Sequence, residues 1–371
     1  MVDTKNQYLA IKKEVDESIQ AVLDSASYIN GKSVQEFSQS LASYLQVAHV
    51  IPCANGTDAL QIAMMALGLQ PGDEVITPSF TYIATTEVVA LLGLTPVFVD
   101  VDPVTYCMDI ASLKKAITPK TKAIVPVHLY GHAAPMAEIL QIAQEHNLFV
   151  IEDNAQAIGC DYTFPNGETK KTGTMGHIGA TSFYPSKNLG AFGDGGALFT
   201  NDKALADKMT MIANHGQSAR YYHDVVGCNS RLDSIQAAVL NIKLQKLDSY
   251  NHARFQVAQF YNNAFADIKQ IVTPAVNKYS THVYHQYTIQ LVGMDREKFI
   301  KHLADLEIPC MIYYPVPGHL QKMFGEGKNE HLDLPVTNSL TPVVCSLPIH
   351  TEMEEAQLKH IASGVKSFLN A

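Results

Sequence analysis

The chain has 371 residues, 47% of them hydrophobic and 17% charged, which is enough to bury a large core and to form two or three domains. A net charge of -9, from 36 acidic against 27 basic residues and without blocks of like charge, argues against a nucleic-acid partner but leaves room for a small anionic ligand held by backbone amides and one or two cations. Six widely spaced cysteines (Cys53, Cys107, Cys160, Cys228, Cys310, Cys345) with no C-x-x-C pair, an N-terminal stretch charged from Asp3 onward, and no run near the roughly 20 apolar residues of a membrane span together predict free thiols and a cytoplasmic chain.

From residue 49 onward, short β-rich runs alternate with helical patterns, the signature of a mostly parallel sheet covered by helices. The strands are expected at His49 to Cys53, Glu74 to Pro78, Pro96 to Val101, Ala123 to Val127, Leu148 to Glu152, Thr181 to Tyr184 and Ala197 to Thr200. Helices are expected between them at Thr57 to Leu67, Ala84 to Leu92, Asp109 to Ala116, Met136 to Glu145 and Lys203 to Ala213. A single long helix is expected over Asp233 to Phe265, leading out of the large domain. Beyond it come strand-like VYHQYTIQLV, helix-like DREKFIKHLADL, strand-like IPCMIYY and a closing helix TEMEEAQLKHIASGVKSFL. The chain therefore divides into a large domain, residues 1–245 with an N-terminal helical segment, and a small C-terminal α/β domain, residues 246–371.

Four segments sit where a strand or loop hands over to a helix or turn, the usual ligand position on an open α/β sheet. In CANGTDAL, Gly56 and Thr57 open a helix whose unpaired amides and dipole suit a phosphate; an ordinary Asn-Gly turn with Thr57 as N-cap is the plainer reading. In LFVIEDNAQAIG, an apolar strand ends in Asp153, placed either to cap the next helix or to face a basic ring nitrogen, with Gln156 three residues on. In TSFYPSKNLGAFGDGGALFT, Ser182 lies in a strand and Lys187 follows in a loop bounded by Pro and Gly, with Gly190, Gly193, Gly195 and Gly196 permitting tight turns. A lysine presented in this way, off any solvated helix face, is suited to lose its proton and form a Schiff base. In GCNSRLDSIQAAVL, Asn229 and Arg231 precede a helix, as cap and ion-pair partner or as phosphate and substrate ligands.

Together with DTKNQYLAIKKEV, PSFTYIAT, VHLYGH and YYPVPGHLQ, these segments resemble the DegT/DnrJ/EryC1/StrS family of pyridoxal-phosphate (PLP) dependent nucleotide-sugar aminotransferases, over nearly the whole chain. The resemblance implies the aspartate-aminotransferase-like PLP-transferase fold (fold type I), with a large, mostly parallel seven-stranded sheet and a smaller C-terminal α/β domain. It also implies a homodimer with its active sites at the subunit interface. By residue, it makes Lys187 the Schiff-base lysine and Asp153 the partner of the pyridine nitrogen. Gln156 would lie near the phenolic oxygen, and Gly56, Thr57 and Ser182 would cradle the phosphate. Asn229 would reach the phosphate from the neighbouring subunit, and Tyr82 would pack on the cofactor ring. Arg231, Tyr314 and His319 would contact the sugar.

The implied reaction moves an amino group from L-glutamate to PLP, giving pyridoxamine phosphate, and then to a nucleotide-linked keto sugar, with Lys187 as anchor and general acid/base. The stretch NHGQSARYYHDVVGCNSRLD most resembles members acting on 3-keto sugars, either UDP-linked 2-acetamido-3-keto-hexuronates or dTDP-linked 3-keto-6-deoxyhexoses. Tyr313-Tyr314 stands where uronate-using members carry His-Tyr, which counts against the uronate. A 4-keto sugar remains an alternative, as does a non-catalytic regulatory role on the same scaffold. A sugar dehydratase is disfavoured because Lys187 is present, and a nicotinamide dehydrogenase because no G-x-G-x-x-G follows the first strand.

Overall fold

The structure is a computed structural model that describes residues 1–275 and 277–369. All seven expected strands form, and they make one sheet. They are β1 (His49–Cys53), β2 (Glu74–Pro78), β3 (Thr95–Val99), β4 (Thr121–Ile124), β5 (Phe149–Asp153), β6 (Ile178–Ser182) and β7 (Gly196–Thr200), in the order β1-β7-β6-β5-β4-β2-β3. The run from β6 to β3 is parallel, whereas β7 is antiparallel to both of its neighbours, β1 and β6. Central strands buried on both faces read as near-continuous apolar runs because helices cover both faces, which is why FVIED and GALFT were legible as strands.

Three helices, α1 (Thr4–Ala10), α2 (Lys12–Ser25) and α3 (Lys32–Leu45), precede the sheet. The five helices expected between strands all form: α4 (Gly56–Ala66), α5 (Ala84–Leu91), α6 (Ile110–Ala116), α7 (Met136–His146) and α8 (Lys203–Ala213). One apolar cluster joins α4, α5 and α8 to one side of the sheet, and a second packs α6 and α7 with Tyr106, Tyr130 and Tyr162.

The expected long helix is two helices, α9 (Ser234–Leu244) and α10 (Leu247–Phe265), interrupted at Gln245 and Lys246. Nothing in the composition at 245 and 246 breaks a helix. The break instead lets the two helices serve different cores, α9 against α3 and the sheet, and α10 against the C-terminal elements.

A three-stranded antiparallel sheet follows, β8 (Ile271–Val272), β9 (Tyr287–Leu291) and β10 (Val344–Leu347), flanked by α11 (Arg296–Asp305) and the closing helix α13 (Glu355–Phe368). Between them lies a short helix, α12 (Pro335–Leu340). The strand-like IPCMIYY does not become a strand. Only Met311 bridges to Ser346, because Pro309 and Pro315 bound the segment and its tyrosines turn toward the functional cavity instead of a ladder.

Candidate active site

The carboxyl ends of β1, β5 and β6 meet at one place because Gly196, the first residue of the antiparallel β7, pairs with both Cys53 and Ser182. A cavity of about 930 Å³ opens there, lined by residues that include Gly56, Thr57, Tyr82, Asp153, Gln156, Ser182, Lys187 and Tyr314. Eight of the eleven residues singled out in the sequence thus share one chamber.

At one end of it, α4 starts at Gly56, and the cap is Asn55 rather than Thr57: Asn55 Oδ1 accepts the Asp58 amide at 2.8 Å. This leaves the amides of Gly56 and Thr57 without intrahelical acceptors, beside the positive end of the helix dipole. A Cβ on Gly56 would come within 2.7 Å of Ser182 Cβ, so only glycine lets the helix start this close to β6. Gly196 is there for the same reason: its added Cβ would meet the Asn55 carbonyl carbon at 2.4 Å.

Asp153 ends β5 with its carboxylate in the chamber. Its Oδ2 accepts the Thr85 hydroxyl at 2.7 Å and its Oδ1 the Ala155 amide at 3.1 Å. Strand alternation sends Glu152 to the opposite face, where it is fully buried and accepts from His128 Nε2 at 2.8 Å and from the amides of Gly173, Met175 and Gly176. The strand end is thereby fixed from behind.

Lys187 sits on a loop pinned at several points. Its amide donates to the Tyr184 carbonyl at 2.8 Å, and Asn188 Nδ2 donates to Asn251 Oδ1 and the Val283 carbonyl, each at 2.8 Å. The buried Lys243 ammonium donates to the Gly190 carbonyl at 2.5 Å. Burial pulls the Lys187 amine down to about 8, against the opposing pull of the Asp153 charge.

Several chamber residues went unnoticed in the sequence. Thr81 lines the chamber ahead of α5, and Thr85, in the first turn of α5, stands behind the wall and holds Asp153; no sequence motif marks either. His285 and Gln286 enter from the loop before β9, far away in sequence, and no local motif marks them. Burial, reinforced by Lys187 and Arg254, drives the His285 pKa well below its ordinary value, so this imidazole is neutral near pH 7.

Three expected residues lie elsewhere. Asn229 and Arg231 line a separate concavity with Ile29, Asp233 and Gln236, and the Arg231 guanidinium donates twice to Asn214 Oδ1, at 3.2 and 2.8 Å. Asn229 is exposed there and does not enter its own chain's chamber. His319 is only 2% exposed and is held structurally: its Nδ1 lies 2.6 Å from the Ser79 hydroxyl, which also accepts the His319 amide at 3.1 Å, and its ring packs near Phe98. The structure does not bring His319 to the chamber, because that hydrogen-bond pair turns the ring away toward β3.

Known proteins similar to this chain include several aminotransferases. The chain is 45% identical over 370 residues to a UDP-N-acetyl-3-dehydro-alpha-D-glucosamine 3-aminotransferase of Acidithiobacillus ferrooxidans, covering 100% of this chain and 98% of that protein. It is 44% identical over 364 residues, 98% of each chain, to a UDP-2-acetamido-2-deoxy-3-oxo-D-glucuronate aminotransferase of Pseudomonas aeruginosa. Among solved structures, DesV of S. venezuelae in complex with a ketimine intermediate superposes with a TM-score of 0.95 at 38% identity, covering 100% of this chain and 98% of that one. The family model of these enzymes matches residues 9–366, and the chain belongs to the DegT/DnrJ/EryC1/StrS aminotransferase family.

Proposed function

We propose that this aminotransferase holds PLP in the chamber on Lys187 and moves an amino group from L-glutamate to a nucleotide-linked 3-keto sugar, with uncharged UDP-linked 2-acetamido-3-keto sugars as the favoured acceptors. The observation that carries this reading is the convergence of Lys187, Asp153 and the α4 N-terminus on one cavity. The residues fit the cofactor: two free helix amides and the Ser182 hydroxyl suit a phosphate, the Asp153 carboxylate suits a ring N–H, and the Lys187 amine suits a carbonyl carbon. When bound, PLP supplies an electron sink that stabilises negative charge on the carbon losing its proton.

The protein does the rest. Lys187, with its proton affinity lowered by burial, would hold the cofactor through its neutral amine and would move a proton at the substrate carbon. Asp153, held by Thr85 and Ala155, would face the ring nitrogen and keep it protonated. Tyr82, on the chamber wall, would cover a ring face. A second copy of the chain would bring the exposed Asn229 to the phosphate, which makes a homodimer the proposed working form.

Among the described residues lining the chamber, Lys187 is the sole lysine or arginine, whereas Asp58, Asp153 and Asp194 all contribute carboxylates. A uronate carboxylate would therefore find no arginine or second lysine within this chain's chamber, which supports the uncharged sugar. The two domains are proposed to divide at residues 1–245 and 246–371, since the seven-stranded sheet lies wholly before the break at Gln245 and the three-stranded sheet wholly after it.

The decisive test is the absorbance spectrum of PLP-loaded protein before and after addition of L-glutamate, for wild type and Lys187→Ala. A visible band that converts to the pyridoxamine form in wild type and never forms in the variant is expected. A wild-type band that ignores every amino donor would sink the transamination reading.

A further inference from the structure

On its own side of β5 the Asp153 carboxylate has two hydrogen bonds, from Thr85 and Ala155, but the residue before it is held far more heavily on the other side. Glu152 is fully buried, and its two oxygens accept from four donors. Oε1 accepts the amides of Met175 at 2.6 Å and Gly176 at 2.5 Å, and Oε2 accepts the Gly173 amide and His128 Nε2, each at 2.8 Å. His128 is fully buried too, and its Nδ1 accepts the Ala134 amide at 3.1 Å. A backbone amide can only donate, so Nδ1 is the unprotonated nitrogen and Nε2 carries the hydrogen that points at Glu152. The imidazole is therefore neutral in this arrangement, and Glu152 is a buried carboxylate whose four partners are all donors and none a formal cation.

Each partner belongs to a segment that carries part of the chamber. His128 follows Val127, which lines the cavity, and its own amide donates to the Asp153 carbonyl at 3.1 Å, so one residue grips β5 by backbone and side chain at once. The Asp153 amide in turn donates to the Pro126 carbonyl at 2.9 Å. Residues 173–176 lead into β6, which ends at Ser182 and is followed by the loop that carries Lys187. Only an acceptor at both oxygens can gather four N–H groups. A glutamine in this place must turn its NH2 toward two of the four donors, whichever way it lies. If it faces His128, the imidazole can accept only by moving its hydrogen to Nδ1, which strips the Ala134 amide of its acceptor. We propose that Glu152 is a positioning residue for Asp153: its buried negative charge, completed by neutral His128, fixes the end of β5 so that the Asp153 carboxylate stays aimed at the cofactor's ring nitrogen and keeps the proton there. This rests on the PLP reading of the chamber given above.

The test loads wild type, Glu152→Gln, His128→Phe, Asp153→Asn and Leu303→Ala with PLP carrying an NMR-visible nitrogen isotope in its ring, and records the ring-nitrogen resonance at neutral pH together with Tm. Leu303 lies in the C-terminal core, so its truncation lowers Tm without touching β5. In Asp153→Asn the resonance should move toward that of an unprotonated ring. Glu152→Gln should move it in the same direction and weaken PLP binding about tenfold. His128→Phe, which leaves Glu152 three amide donors, should move it less, and Leu303→Ala should leave it at the wild-type position. A Glu152→Gln protein with a lowered Tm but the wild-type resonance would overturn the proposal, because Glu152 would then serve stability alone. If Glu152→Gln does not fold, His128→Phe decides by the same criterion. A resonance that stays in place in Asp153→Asn would count against the reading of Asp153 itself and take the proposal with it, so the two failures are told apart.

Discussion

Lys187 and Gly56 show how much single atoms decide in this chamber. The Lys187 amine, lowered to about 8 by burial, is half deprotonated where a solvated lysine, near 10.5, would be almost wholly charged. Covalent capture of PLP by the apoprotein is therefore expected to speed up with rising pH and to level off just above about 8, followed by borohydride trapping and mass spectrometry. A profile that still climbs toward 10.5 would show that the amine is solvated instead. Gly56→Ala places a methyl 2.7 Å from Ser182 Cβ, so either the helix start or the strand end must shift. Overpacking of this kind costs about 1–3 kcal/mol, and the same shift moves the amides at the start of α4 that are proposed to hold the phosphate. Both a lower Tm and PLP affinity reduced at least about tenfold should follow, read by calorimetry and cofactor titration.

At the scale of elements, the segment carrying the chamber tyrosines is tied down at its far end by Asp100. This buried carboxylate follows β3 and accepts from the Val336 amide at 2.9 Å, the Thr337 amide at 2.8 Å and the Thr337 hydroxyl at 2.7 Å, so it caps α12 from another part of the chain. Asp100→Ala leaves those three donors without their acceptor and should destabilise the protein by about 2–4 kcal/mol in urea unfolding, whereas Asp100→Asn should recover part of the loss. Equal midpoints for Ala and wild type would mean that α12 is held by apolar packing alone. The interruption between α9 and α10 belongs to this scale too. Helical periodicity runs through residues 245 and 246 unbroken, and only the separate cores that the two helices serve decide where the chain bends.

For the whole molecule, several buried imidazoles set the acid limit of stability. Burial lowers His132 to about 4 and drives His282 and His285 well below the ordinary histidine value of 6.5. Between pH 6.5 and 4 the unfolded chain therefore binds protons that the folded chain refuses, so stability rises with pH across that window and is lost as pH falls through it. For His132 alone the loss approaches roughly 3 kcal/mol by pH 4, and Tm should drop steeply over the interval, with a shallower slope in His132→Asn. A Tm that is flat from pH 6.5 to 4 would refute this account. Much of the design at this scale was legible in the residues alone. Seven strands, five intervening helices, and the placement of Asp153 and Ser182 at strand ends, Gly56 at a helix start and Lys187 in a loop all follow from local causes: apolar runs of strand length, helix starts and caps, and loops punctuated by Gly and Pro. The sequence by itself thus determined the family, the sheet and the loop that carries Lys187. Only the tertiary structure decided that Gln156 answers to Tyr130 and Tyr314, that His285 and Gln286 line the chamber, and that His319 and Arg231 turn to other partners. Those outcomes depend on which side chains meet across 17 to 240 residues of chain, and hydrogen-bond direction and close packing select the partner in ways that no local pattern encodes.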